Sequence, residues 1–329
     1  MKAMVLREAG PAEDAPLQWE ESDELVPGPG EVVVRVLATG VCRSNLHMVE
    51  GDWLPATPAF LPIIPGHEVV GQVTALGNGV TRVAVGDRVG VQPIWSTCGH
   101  CAYCLTGKEN LCRQRQITGE TRDGGYAESM LADAAYVYPV PDALGDVEAA
   151  PLFCPGITAY GSVKKAALSP GQKVAVLGVG GVGHMVVQMA RLTGADVYAV
   201  TRSAVHQAVA EELGAARSYS PGALPDAAVD AAIVFAPSAA AVSEALRIIR
   251  PGGRVVLGVG ETVGPMDIGD EKTVVGSVLG NRREMLEVLD LAAAGRLHTL
   301  TEQYPLAEAN TALADLKAGR VRARAVLVP

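Results

Sequence analysis

Hydrophobic positions fall into two regimes along the 329-residue chain. Up to about residue 150 the apolar runs are short, β-branched and separated by turn residues. EVVVRVLA (31–38), EVVGQVTAL (68–76) and DRVGVQP (87–93) are of this kind and predict strands of a mostly β domain. Beyond about residue 170, strand-like runs alternate with helical ones. Lys173–Leu177 is apolar and β-branched, a helix is predicted from about Val182 to Leu192, and Asp196–Val200 completes a βαβ unit. VDAAIVFA (229–236), an Ala-rich helix over 239–249 stopped by Pro251-Gly252-Gly253, RVVLGVG (254–260) and TVVGSVL (273–279) continue the alternation. Such a pattern predicts an α/β fold with a parallel sheet. A helix over 282–294 and a closing strand, RARAVLV, end the chain, with no internal repeat or low-complexity tract.

Length and a 49% hydrophobic composition suffice for two buried cores. A formal net charge of −9 with no block of Lys or Arg opposes binding to nucleic acid or to an anionic membrane, where a basic face supplies most of the affinity. Small molecules are the expected partners. The amino terminus meets Arg7 and Glu8 before any apolar segment reaches signal-peptide length, and four glycines break the apolar run 174–190. The expected location is the cytoplasm.

A reducing cytosol disfavours structural disulfides and leaves thiolates for metals. Four of the six cysteines, Cys98, Cys101, Cys104 and Cys112, lie within fifteen residues, separated by two, two and seven positions. One loop can fold four such sulfurs around a tetrahedral ion, and zinc favours a closed all-thiolate shell. Four thiolates leave no open position. This metal is expected to stabilise a lobe and to do no chemistry.

The other two cysteines, Cys42 in ATGVCRSNLH and Cys154 in APLFCPGITAYG, are far apart, with His67 and Glu68 between them in PGHEVVG. A lone cysteine or histidine is usually structural. Taken together with the cysteine loop, GHE at 66–68, GDRV at 86–89, CPGITAYG, GVGGVG at 178–183 and RARAVLV, however, the chain resembles the zinc-dependent alcohol dehydrogenases of the medium-chain dehydrogenase/reductase superfamily. The resemblance runs along the whole chain. It implies a GroES-like, mostly β catalytic domain over 1–150, completed by 281–329, and a Rossmann dinucleotide-binding domain over 151–280, with the active site in the cleft between them.

By that resemblance Cys42, His67 and Cys154 bind a catalytic zinc with one position open for a substrate oxygen, so that two zinc ions are expected per chain. Glu68 is expected beside that metal and able to bind it transiently, or else satisfied by a nearby arginine. Ser44 is placed to take the alcohol proton and His47 to pass it outward; a helix-capping serine and a solvated histidine are the bland alternatives. Arg43 and Arg324 are expected at the cofactor pyrophosphate, with a surface ion pair an equal explanation of Arg324, and Thr158 at the nicotinamide. Asn45 departs from the family pattern, which usually has Asp there to hold the metal-binding histidine. Its amide oxygen is expected to orient His67 without adding charge, leaving the zinc more electrophilic.

Gly178, Gly180, Gly181, Val182 and Gly183 follow a strand and open a helix whose amino terminus can hold a pyrophosphate. After the second strand, where NAD enzymes offer a carboxylate to the ribose, this chain has Thr201-Arg202-Ser203. A guanidinium and two hydroxyls favour NADP(H) over NAD(H), unless Arg202 is only a solvated residue at a helix start. Trp53, Ile94 and Trp95 fall in segments that line the family's substrate pocket. They predict an apolar site for medium-length or aromatic alcohols, aldehydes and ketones; core or interface burial is the alternative. A homodimer or homotetramer is expected. Polyol or threonine dehydrogenases share all these parts, and a zinc-stabilised NADPH-binding protein with little turnover is the alternative from another class.

Overall fold

The computed structural model describes residues 1–52 and 60–329. Internal contacts divide the chain into two compact units, one comprising Met1–Cys154, Asn281–Ala293 and Thr299–Pro329, the other Pro155–Gly280 with Ala294–His298.

The first unit opens with an antiparallel ribbon, β1 (Lys2–Leu6) and β2 (Leu17–Glu21). β3 (Glu31–Gly40), α1 (Arg43–Glu50), β4 (Val69–Leu76), β5 (Arg88–Val91), β6 (Ile94–Ser96), α2 (Ala102–Leu105), β7 (Gln116–Ile117), β8 (Ser129–Asp133), β9 (Val137–Pro139) and α3 (Asp146–Ala149) follow. β3 is the hub of this unit. Half of its residues are β-branched, and it pairs antiparallel with β4 and β8. Val32, Val34 and Val36 on one of its faces meet Val69, Val73, Val89, Val91 and Met130 in a common apolar core, the alternation that period-two side chains require. The sheet is GroES-like. It holds still two loops that matter below: the one leading from β3 into α1, and the one leading into β4.

The second unit is a Rossmann-like parallel sheet. α4 (Pro155–Ala166), β10 (Lys173–Leu177), α5 (Gly183–Leu192), β11 (Asp196–Val200), α6 (Ala204–Glu212), β12 (Arg217–Tyr219), β13 (Val229–Val234), α7 (Ala239–Ile248), β14 (Ile249–Leu257) and β15 (Thr273–Gly276) alternate along the chain. The strand order is β12-β11-β10-β13-β14-β15, all parallel. The chain winds outward in both directions from β10, so the order reverses between β10 and β13. That is the point where such sheets bind ligands, at the carboxyl ends of the strands. β10 and β13 are buried on both faces, as central parallel strands are. α7 ends at Ile248, before the Pro-Gly-Gly expected to stop it, because Ile249 already has extended backbone angles and begins β14.

The chain re-enters the first unit with α8 (Arg282–Ala293), followed by β16 (Thr301–Pro305), α9 (Ala309–Lys317) and β17 (Arg324–Val328). β17 pairs parallel with β16 and antiparallel with the end of β3, Val326 opposite Gly40. This pairing carries Arg324 to the head of α1. Among the described residues, no helix is long and apolar enough to cross a membrane.

Candidate functional site

The four clustered cysteines form a lobe around the one-turn α2. Their sulfurs are mutual neighbours, with Cys98–Cys104 at 3.9 Å, Cys101–Cys104 at 3.5 Å and Cys98–Cys112 at 3.7 Å. A disulfide needs about 2.05 Å, whereas the edge of a tetrahedron with metal–sulfur bonds of about 2.3 Å is about 3.8 Å. The geometry fits an ion. The Cys101 amide donates to Cys98 Sγ at 3.4 Å, and with the backbone around His100 it holds the Cys98 thiol down to about 6. A loop that stabilises thiolate is what a metal needs.

The second cluster is assembled from three distant segments of the first unit. Cys42 caps the amino terminus of α1, His67 and Glu68 lie in the loop immediately before β4, and Cys154 follows a short turn after α3. One ligand atom from each of Cys42, His67, Glu68 and Cys154 lies within 4.8 Å of all the others, the two sulfurs being 3.8 Å apart. His67 and Glu68 are 2% and 0% exposed, so this carboxylate and imidazole sit in a dry pocket. Hydrogen bonding from Cys154 and His67 holds the Cys42 thiol well below its ordinary value against the cost of burial, whereas the hydrogen bond with Cys42, together with burial, pushes Cys154 well above it. Burial alone would lower His67, but its hydrogen bond with Cys42 and the charges of Cys42, Glu68 and Glu120 raise it on balance. Burial drives the Glu68 carboxyl up to about 7, with Arg324 pulling the other way. A divalent cation among these donors would hold all of them deprotonated.

Glu68 is paired with Arg324, which is 4% exposed. The pair is therefore buried, and a surface ion pair is excluded as the explanation of Arg324. Gly40 makes room for it, since a Cβ there would lie 2.0 Å from Glu68 Oε2. Among the described residues Glu68 Oε2 and Arg324 Nε have no hydrogen-bond partner. An orphaned carboxylate oxygen beside two cysteine sulfurs and an imidazole fits a cation.

Ser44 Oγ lies 3.4 Å from His67 Nε2. His47, one turn further along α1, directs Nδ1 to Asp52 at 2.8 Å. Asn45 differs from expectation: its amide nitrogen, not its oxygen, is 3.4 Å from His67 Nδ1. The oxygen is occupied, accepting the Cys42 amide at 3.4 Å and the Tyr126 hydroxyl at 3.5 Å. The helix cap claims it. A histidine ligating through Nε2 carries its proton on Nδ1, and a half-turn of the Asn45 amide would bring oxygen to that nitrogen.

Ile94 and Trp95 lie on β6, 0% and 7% exposed, and the Arg122 guanidinium sits 4.8 Å over the Trp95 ring. Trp53 lies outside the described residues. Arg43 is exposed at the first turn of α1.

In the second unit the glycine turn stands between β10 and α5. Gly178 has φ +92°, and a Cβ on Gly183 would lie 1.9 Å from the Gly178 carbonyl oxygen, so both are needed for the turn to close. Gly180 has nothing within 4 Å of where its Cβ would be, which leaves backbone accessible beside Gly181 and Val182 at the helix head. Thr201 continues from β11, its amide bonded to the Tyr219 carbonyl at 3.0 Å. Arg202 is exposed, and Ser203 caps α6 by accepting the His206 amide at 3.4 Å. Thr158 is half-buried in α4, its carbonyl accepting from Ser162.

Residues 28–142 match the alcohol dehydrogenase GroES-like domain family, and residues 181–294 match the zinc-binding dehydrogenase family. An alcohol dehydrogenase of Geobacillus stearothermophilus is 42% identical over 326 residues, covering 95% of this chain and 96% of that protein. One from Moraxella sp. strain TAE123 is 41% identical over 340 residues, covering 99% of each. The crystal structure of an alcohol dehydrogenase from Aeropyrum pernix superposes with a TM-score of 0.93 at 34% identity, each chain covered completely.

Proposed function

Because the chain belongs to the zinc-type alcohol dehydrogenases of the medium-chain dehydrogenase/reductase superfamily, we propose that it interconverts alcohols with aldehydes or ketones, using NADP(H) in preference to NAD(H). The observation that carries this reading is the buried cluster of Cys42, His67, Cys154 and Glu68, three ligands with an oxygen donor behind them. Cys42, His67 and Cys154 hold one zinc, and Cys98, Cys101, Cys104 and Cys112 hold a second. Zinc at the first cluster supplies a Lewis acid to the substrate oxygen, and the nicotinamide supplies the hydride donor or acceptor.

The chain's own residues do the rest. Ser44 takes the alcohol proton at Oγ, which lies 3.4 Å from His67 Nε2, the nitrogen that would face the metal. His47, exposed on one side, passes it outward. The amides at the head of α5 hold the pyrophosphate, with Arg43 and Arg324 supplying charge, and Thr158 positions the nicotinamide. Arg324 does so while bonded to Glu68. Thr201, Arg202 and Ser203 bind the 2′-phosphate, which an exposed guanidinium beside a capped helix terminus favours over a bare ribose. Ile94 and Trp95 are the residues of the first unit assigned to an apolar wall for medium-length or aromatic substrates; Trp53, expected there from the resemblance, lies outside the described residues.

Initial rates of NADPH and NADH oxidation with a panel of aldehydes and ketones, with and without a zinc chelator, test the proposal. Chelator-sensitive turnover that favours NADPH is the expected result. No turnover in protein holding two zinc ions per chain would point to a binding protein, and a kcat/KM highest for the smallest aldehydes would contradict the substrate class.

A further inference from the structure

Asp52 is engaged with His47 twice. α1 ends at Glu50, Gly51 turns the chain back at φ +75°, and the Asp52 amide then donates to the His47 carbonyl at 3.1 Å. The Asp52 side chain follows the same path, with Oδ1 2.8 Å from His47 Nδ1. A helix end does not explain an acidic residue there. The last carbonyls of a helix carry partial negative charge and repel a carboxylate, so the favourable partner of Asp52 is the imidazole N–H.

We propose that Asp52 is a positioning residue that locks the His47 imidazole with its proton on Nδ1. A carboxylate only accepts, so a 2.8 Å contact requires Nδ1 to be the donor. Nε2 then holds the lone pair, and Nε2 is the nitrogen able to receive a proton travelling from Ser44. A free histidine side chain prefers the opposite tautomer, which would present an N–H where a base is needed. The side chains of His47 and Asp52 are 33% and 58% exposed, so the pair stands where a proton can leave to water. The role rests on the assignment of His47 as the outward proton carrier.

Two measurements on the zinc-loaded, full-length protein test it together. The first is the ¹⁵N spectrum of the neutral His47 ring, assigned with His47→Gln. The second is kcat for alcohol oxidation in Asp52→Leu, Asp52→Asn and His47→Gln. The wild-type ring is expected as the Nδ1–H tautomer. Asp52→Asn, whose amide oxygen still accepts, should retain that tautomer and most of kcat. Asp52→Leu should revert to Nε2–H and lose kcat by about 10-fold or more, as loss of one general acid–base group does. His47→Gln should be no faster than Asp52→Leu, and the double variant no slower than His47→Gln.

An Nε2–H ring in the wild type overturns the proposal. So does a full rate in Asp52→Leu when His47→Gln is slow, an outcome that leaves the proton path standing. A full rate in His47→Gln overturns the proton path itself and, with it, the role of Asp52.

Discussion

The two cysteine clusters of the first unit share a chemistry and differ in almost everything else. The lobe around α2 comes from one fifteen-residue loop, offers four sulfurs, and is half exposed. The cluster at the head of α1 draws on segments more than a hundred residues apart, offers two sulfurs, an imidazole and a carboxylate, and is dry around His67 and Glu68. Four thiolates close a tetrahedron, whereas three ligands leave a position for a substrate oxygen. A closed shell can be built from local sequence alone. An open one needs a fold to hold its walls apart, and β3, β4 and β17, with the buried Glu68–Arg324 pair, are what bring the segments of this cluster together.

Substitutions at the two clusters should therefore fail in different ways. Cys42→Ser or His67→Ala should lower kcat/KM by about 1,000-fold or more, the several kcal/mol attributable to Lewis-acid catalysis, while the thermal midpoint moves little. Steady-state kinetics beside calorimetry check this; a retained rate would remove the distinction between the sites. Cys104→Ala should do the reverse, costing more than about 3 kcal/mol of stability through loss of the metal, while the molecules that stay folded keep their turnover. Denaturant unfolding with zinc counted per chain tests it, and an unchanged unfolding midpoint would contradict it.

Smaller effects sharpen the contrast. Asn45→Asp should put a carboxylate behind His67 and tighten metal retention about 10-fold at the open site only. It should also raise the pKa governing alcohol oxidation, read from the pH profile of kcat/KM. A wild-type pKa no lower than that of the variant would show that Asn45 does not leave the metal more electrophilic. At the lobe, the folded Cys98 thiol is lowered from 9.0 to about 6 by the backbone around His100 and Cys101. In metal-free protein its contribution to stability is full above the unfolded value and is lost as pH falls through about 6, where acid protonates the folded thiolate. Bound metal shifts the loss lower still, so dye-detected release from the lobe should begin only at about pH 6 or below. Release complete at pH 7.5 would contradict this.

The lobe was legible from spacing, since two, two and seven intervening residues already place four sulfurs in one loop. The parallel sheet and its glycine turn were legible for the same reason: the signals are local and periodic. The open cluster was not local, and its three segments could be joined only through the resemblance. Its finer geometry was only partly legible: an arginine beside Glu68 was one of two expectations, but not which arginine. Glu68 and Arg324 are 256 residues apart, their pairing depends on β17 docking beside β3, and nothing near either residue identifies the other as its partner. The orientation of Asn45 depends on a capping contact to Cys42 that competes with His67 for one oxygen. Asp52 was readable in principle, as an acid placed against a helix dipole just after a glycine stop, yet its partner emerged only with the turn in three dimensions.

The central claim, one open metal site and one closed, is tested most directly by the visible spectrum of the protein with cobalt in both sites, titrated with imidazole as an added ligand. Bands from one cobalt should shift while those of the four-sulfur cobalt stay fixed, and Cys42→Ser should abolish the shift. Bands that all stay fixed, or a response from both ions, would contradict it.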